Sequence, residues 1–186
     1  MVAEHQPAPH DSVHAEIGAW IAQMPDGVDP GIEAARQRIG RISRQFEAVL
    51  ARAADRHQLT VGDLAALSVL RRSGPPDTCT PKELAEALGV TSGTISVRIE
   101  RLTKLGLVEP VAATDGRSRP VRLTRKGRQR WSAATRQRTT HEQQLFTSAL
   151  DDQQLAELNA LLGALLRRYE EAFGPASQHD THRSGA

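Results

Sequence analysis

The sequence predicts a mainly α-helical protein that carries a small two-stranded β wing. Long segments near both ends of the chain repeat apolar residues at alternating spacings of three and four, which is typical of one side of a helix. Between them, short helical segments separated by glycine turns lead into two short strands. With 186 residues, the chain is long enough for one small domain with helical extensions.

Composition excludes several classes of protein. A single cysteine cannot build a disulfide framework or a multi-cysteine metal site. No apolar run approaches the roughly 18–20 residues of a membrane helix, and the His- and Pro-containing start of the chain is unlike a signal peptide. There is no glycine-rich phosphate loop and no serine elbow. We therefore expect a cytoplasmic protein that is not an enzyme and has no metal, cofactor or membrane partner.

The N-terminal part, residues 13–57, is predicted to form two helices that mediate dimerisation. Residues 1–12 are polar and are predicted to be a disordered tail. Val13 to Met24 forms a short helix carrying Trp20, and residues 25–30 break it with proline and glycine. A long helix follows, with an apolar seam of Ile32, Ala35, Ile39, Ile42, Phe46, Val49 and Ala53.

The C-terminal part, residues 125–173, is predicted to repeat this design. Thr124 to Leu150 is helical in composition, and Asp151 or Asp152 can cap a final helix. That helix has an apolar seam of Leu155, Leu158, Leu162, Leu165 and Tyr169, whereas residues 174–186 are predicted to be a second disordered tail. Because seams of this kind need a partner, and two of them flank a small middle lobe, we expect a homodimer.

The middle lobe, residues 58–124, is predicted to be a winged helix-turn-helix. A helix over Asp63–Arg72 is followed by Pro81–Leu88, which Thr80 and Glu83 open as a capping box. Thr91 or Ser92 then caps a longer helix that ends at Gly106. Two strands follow, over residues 107–111 and 121–123. Two short helices, a longer helix and a ribbon in this order form the motif.

The charge pattern points to a polyanionic partner. Residues 98–138 hold twelve Lys and Arg against three Asp and Glu, although the whole chain carries only +2. A recognition helix lies in the major groove with its N-terminal part nearest the bases. Hydroxyl side chains can bind phosphates, and an arginine can contact a guanine edge with two hydrogen bonds. The DNA-binding residues predicted on this helix are Ser92, Gly93, Thr94, Ser96, Val97, Arg98, Arg101 and Lys104.

The turn between the two strands is predicted to enter the minor groove. Arg117 and Arg119 lie on this narrow hairpin, and arginine suits the negative potential of the minor groove. Asp115 has the wrong sign for a DNA contact. We therefore expect it to stabilise the wing by forming the turn and holding one arginine.

The wing and the helix before it resemble those of the MarR family of transcription regulators. The family's wing pattern, Asp-x-Arg-x-x-x-Val-x-Leu-Thr, stands here as residues 115–124, followed by Gly127. The resemblance implies a homodimer interlocked through its terminal helices and binding double-stranded DNA at a palindromic operator. We expect this dimer to act as a repressor that a small ligand releases. The family often has arginine at the position of Val97. Base readout would then rest on Arg98, or on Val97 touching a thymine methyl group.

A finer resemblance, to the urate-responsive subgroup, covers residues 13–76. It implies an anion pocket lined by Trp20 and Arg72, although the subgroup's aspartate falls on Ala65 here, two residues from Asp63. We therefore expect a small aromatic anionic ligand. The alternative is that Trp20 only makes a hydrophobic contact with the long helix and that Arg72 pairs with a carboxylate.

Two other functions stay open from the sequence. Cys79, in a loop rich in proline and threonine, could act as a redox-sensing thiol. The lobe could also be a winged-helix module that binds protein, which would bind with a weak dependence on salt.

Overall fold

The computed structural model describes residues 11–112 and 119–175. They form seven helices and three strands. In chain order these are α1 (Ser12–Ile21), α2 (Pro30–Arg56), α3 (Val61–Arg72), β1 (Thr78–Cys79), α4 (Pro81–Leu88), α5 (Ser92–Lys104), β2 (Val108–Pro110), β3 (Val121–Leu123), α6 (Arg125–Ala149) and α7 (Asp152–Phe173). Within the described ranges, no helix combines the length and the apolar character that a membrane crossing requires.

The chain divides into two compact units, Met1–Ala48 and Val49–Ala186. In the first unit, α1 is tied to the first part of α2 by polar contacts. Asp11 caps α1 by accepting from the backbone N–H of His14 at 2.7 Å, and its carboxylate also pairs with Arg38 at 2.7 Å. Glu16 forms a second ion pair with Arg41.

The second unit holds the core of the winged lobe. Its fully buried leucine and isoleucine side chains come from α3, α4, α5, β3 and the residue before β2: Leu67, Leu70, Leu84, Leu88, Ile95, Leu102, Leu107 and Leu123. The caps follow from local sequence. The capping box of Thr80 and Glu83 is present, Thr91 caps α5, and Asp151 caps α7. Gly89 ends α4 with a left-handed φ of 61°, a conformation that glycine adopts without steric cost.

The sheet differs from the sequence prediction by one strand. Its order is β1-β3-β2 and both pairings are antiparallel, so β3 is central. Cys79, predicted to lie in a loop, belongs to β1 and faces Val121. A two-residue strand has no periodicity of its own. It forms because β3 offers a free edge, which the local sequence does not reveal.

The terminal helices leave apolar side chains in solvent. Within α7, all of which the structure describes, no residue is buried, and six large apolar residues are exposed: Leu161, Leu162, Leu165, Leu166, Tyr169 and Phe173. On α2, the seam residues Ile32, Ile39, Ile42 and Phe46 are likewise exposed. Two amphipathic helices with uncovered apolar sides are the pattern expected of an interface.

Candidate nucleic-acid interface

The N-terminal half of α5 presents small polar side chains to solvent. Thr91 accepts from the backbone N–H of Thr94 at 3.2 Å, and the two hydroxyl oxygens lie 3.0 Å apart. Ser92, Gly93, Thr94 and Ser96 are all exposed. Since Ile95 and Leu102 are buried on the opposite side, α5 is anchored to the lobe by its inner face and displays its outer face.

The two arginines of α5 contact α3, whereas its lysine pairs with a residue of α5 itself. Arg98 lies over Gly62 of α3, so close that a Cβ added at Gly62 would be 2.3 Å from Arg98 Nη2. Arg101 Nε contacts Asp63 Oδ2 at 3.1 Å, and the Asp63 side chain is only 2% exposed. Lys104 Nζ pairs with Glu100 at 2.6 Å, which holds the pKa of the Glu100 carboxyl below its ordinary value.

Asp63 therefore has two structural roles. Its carboxylate accepts from the backbone N–H of Thr60 at 2.9 Å, while Thr60 Oγ1 accepts from Asp63 N at 3.0 Å, so the pair forms a capping box for α3. The same carboxylate binds Arg101 of α5. It joins the first turn of α3 to the C-terminal half of α5.

The wing is described only at its base. Strands β2 and β3 pair from Val108 opposite Leu123 to Pro110 opposite Val121, and Val111 N donates to Pro120 O at 2.8 Å. Arg119 is exposed. Arg117 and Asp115 lie outside the described residues, so their assigned roles stay predictions.

Close packing at the start of α6 fixes the base of the wing. Thr124 caps α6 and also donates from its backbone N–H to Leu107 O at 3.1 Å, and from its hydroxyl to Gly106 O at 2.8 Å. Gly127 lies against the Leu107 carbonyl, because a Cβ at Gly127 would be 2.0 Å from Leu107 O. The end of α5, the wing and α6 thus form one connected structure.

The sequence interpretation missed Asp77, which links three elements. It is 4% exposed, and its two carboxylate oxygens bind Arg71 at 3.0 Å and Arg128 at 2.9 Å. Its backbone has a φ of 58°, and its carbonyl accepts from Leu123 N at 3.1 Å. No local signal marks this residue, because Arg128 lies 51 positions further along the chain.

Of the two predicted ligand-binding residues, Trp20 lies in the first unit and Arg72 in the second. Trp20 is 42% exposed, and its indole N–H donates to Glu33 Oε1 at 2.8 Å. Hydrogen bonds from Arg36, and then from Gln37 and Trp20, lower the pKa of Glu33 to about 2, against the opposing effect of its burial. Trp20 thus contacts the start of α2 through a hydrogen bond, and its role in ligand binding stays a prediction.

Arg72 lines a cavity of about 220 Å³ in the second unit. Ser68 and Ala65 of α3 lie beside it, and α6 contributes Trp131, Thr135 and Arg138. Trp131 is held in place because its indole N–H donates to Ser68 Oγ at 3.0 Å. The cavity combines an aromatic ring, hydroxyl groups and two guanidinium groups, a set that suits an aromatic anion.

Cys79 is poorly suited to redox sensing. Its side chain is 6% exposed, and burial raises the pKa of the thiol, with a weaker opposing effect from a Ser73 hydrogen bond. Since the thiolate is the reactive form, a buried thiol with a raised pKa reacts slowly.

The chain is similar to known helix-turn-helix proteins, in agreement with the winged lobe described above. Residues 57–118 match the family model described as the MarR family. The regulator PecS of Dickeya dadantii (strain 3937), described as an HTH-type transcriptional regulator, is 25% identical over 150 residues, which cover 79% of this chain and 88% of PecS.

Solved structures share the fold. YusO of Bacillus subtilis superposes with a TM-score of 0.66 at 15% identity, covering 76% of this chain and 99% of YusO. A mutant of E. coli MarR in complex with operator DNA superposes with a TM-score of 0.55 at 23% identity, covering 73% of this chain and 96% of the MarR chain. The fold is therefore a MarR-like winged helix, and residues 57–118 are similar to the MarR family.

Proposed function

We propose that this chain is a sequence-specific transcription regulator of the MarR family that binds a palindromic operator as a homodimer and represses until a small ligand releases it. The observation that carries the proposal is the outer face of α5, where small polar residues are exposed while Ile95 and Leu102 anchor the helix in the core. The similar MarR structure holds operator DNA, which supports the same use of this lobe.

Each subunit would place α5 in a major groove, with the two half-sites one helical turn apart, about 10 bp. Arg119, together with Arg117, would reach the neighbouring minor grooves. This arrangement uses the hydroxyl-rich N-terminal half of α5 for phosphates and bases, and the wing for shape and charge.

Selection from a random duplex library tests DNA recognition. The purified full-length protein should enrich one palindromic sequence, and its affinity should fall steeply with salt because bound phosphates release counterions. Enrichment of no sequence, together with an affinity that hardly changes between 50 and 200 mM salt, would instead support a protein-binding module.

The exposed apolar residues of α2 and α7 support the homodimer. A 22-residue helix with no buried residue and an exposed leucine stripe gains stability only if another surface covers it. Leu165→Glu should convert the dimer to a monomer in analytical ultracentrifugation, whereas Ala156→Glu, also exposed on α7 but outside the leucine stripe, should not. A Leu165→Glu protein that stays dimeric with unchanged affinity would contradict this interface.

The cavity beside Arg72 supports a ligand of the aromatic anionic class. We place the ligand's anion near Arg72 and Arg138 and its ring near Trp131. Trp20 stays a second proposed ligand-binding residue, and its indole N–H donates to Glu33. Binding would favour a dimer whose recognition helices no longer match the half-site spacing, which is a population shift.

Competition experiments test the ligand. Urate and benzoate should be titrated into the operator complexes of the parent protein, Arg72→Ala and Trp20→Phe. Release that Trp20→Phe weakens would support Trp20 as a ligand-binding residue, and unchanged release would contradict that role. Release by either acid that Arg72→Ala abolishes, while operator affinity is kept, is the expected result. Absence of release at millimolar excess of both acids would contradict the proposal.

A further inference from the structure

The outer face of α5 carries one aliphatic side chain that the fold does not use. Val97 is 69% exposed, whereas Ile95 and Leu102 on the same helix are 1% exposed. Its neighbours Thr94 and Ser96 are exposed and carry hydroxyl groups, so Val97 is an exposed apolar side chain among polar ones. Valine has only moderate helix propensity, and this one adds nothing to the core, so folding gives no reason for its presence.

Both arginines of α5 contact α3. Arg98 Nη2, Cζ and Nε would lie within 2.3–3.0 Å of a Cβ added at Gly62, so the guanidinium occupies the space that the missing side chain leaves. Arg101 is tied to buried Asp63 at 3.1 Å. Both arginines therefore contact the first turn of α3, and together they fix the orientation of α5 on the lobe.

We infer that Val97 is the specificity-determining residue of α5 and reads a thymine methyl group, while Arg98 is a positioning residue seated on Gly62. This inference rests on the proposed function. The C5-methyl of thymine is the apolar feature of the major groove, and serine and threonine hydroxyls discriminate poorly between bases. With Arg98 packed onto Gly62, Val97 is the exposed large apolar side chain of α5, and it offers the thymine methyl group a larger apolar contact than the methyl group of Thr94 does.

A deoxyuridine scan tests the role of Val97. Each thymine of the selected operator is replaced in turn by deoxyuridine, which removes only the methyl group. We expect one symmetric pair of positions to matter, with about a fourfold loss of affinity per half-site, as burial of one methyl group implies. Val97→Ala should lower affinity for the thymine operator and remove this sensitivity, whereas Thr103→Ala, on an exposed position of the same helix, should keep it.

Paired variants test the packing of the Arg98 guanidinium against Gly62. Gly62→Ala displaces the guanidinium without deleting it, and alanine is favourable inside a helix, so the lobe should remain folded. If Arg98 is a positioning residue, Gly62→Ala and Arg98→Ala should both reduce the preference for thymine over deoxyuridine. The folded state of each variant is checked by circular dichroism, and a general loss of stability would not change that ratio.

The outcomes separate this inference from the proposed function. A scan without a sensitive position, or full thymine preference in Val97→Ala, overturns the inference while specific DNA binding stands. Loss of preference at a guanine position in Arg98→Ala but not in Gly62→Ala would show that Arg98 reads a base, which also overturns it. Absence of any salt-dependent duplex binding would overturn both.

Discussion

Replacing Gly127 by alanine tests how tightly the wing is fixed to α6. The new Cβ would lie 2.0 Å from Leu107 O and 2.9 Å from Leu107 C, so the backbone must separate by more than 1 Å to restore ordinary contact. That carbonyl accepts from Thr124 N at 3.1 Å and from Thr124 Oγ1 at 3.2 Å, and the shift would weaken both hydrogen bonds.

The cost follows from these contacts. Overpacking of a rigid site destabilises by roughly 1–3 kcal/mol, and each weakened hydrogen bond by about 1 kcal/mol. The better helix propensity of alanine returns about 1 kcal/mol. We therefore expect a net destabilisation of about 3 kcal/mol, which lowers Tm by roughly 10 °C in a protein of this size.

Thermal and urea unfolding followed by circular dichroism measures this effect. Gly62→Ala is the matched control, because the nearest atoms to its Cβ belong to the Arg98 side chain, which can shift, and not to backbone, so its stability should stay within about 1 kcal/mol of the parent protein. A Gly127→Ala protein as stable as the parent would refute the argument that the Leu107 backbone is held rigidly.

Three further perturbations have defined outcomes. Arg119→Ala should weaken binding to every duplex by a similar factor and lower the salt slope by about one per subunit; a change confined to one base position would contradict this. The lowered pKa of Glu33 means that its charge stabilises the first unit above about pH 4.5 and that this contribution is lost as pH falls towards 2. Trp20 fluorescence should therefore change across that range, and Glu33→Gln should remove the change; a change that persists in the variant would contradict it. Cys79→Ser should leave the response of DNA binding to peroxide unaltered, because burial raises the pKa of the thiol; loss of a response in the variant would revive redox sensing.

Features set by neighbouring residues could be predicted from the sequence. Thr80 and Glu83 form their capping box because both partners lie within one turn, and the apolar spacing predicts α2 and α7 for the same reason. Thr91, one of two candidates for the cap of α5, is the residue that caps it. In each case the physical cause acts over four residues or fewer.

Contacts between distant segments could not be predicted in this way. Asp77 joins Arg71 and Arg128, and β1 pairs with β3, only after the lobe has folded. The Arg98 guanidinium packs against Gly62 because Gly62 has no side chain, and nothing in the sequence of α5 indicates this contact. For this reason the sequence left Arg98 and Val97 as alternative base readers, whereas the packing favours Val97.

Hydroxyl-radical footprinting of the full-length protein on the DNA upstream of its own gene tests the central claim most directly. Paired recognition helices predict two protected segments related by a dyad, with centres about 10 bp apart, and protection that fades as salt rises from 50 to 200 mM. A single protected segment, or protection that is indifferent to salt, would contradict it.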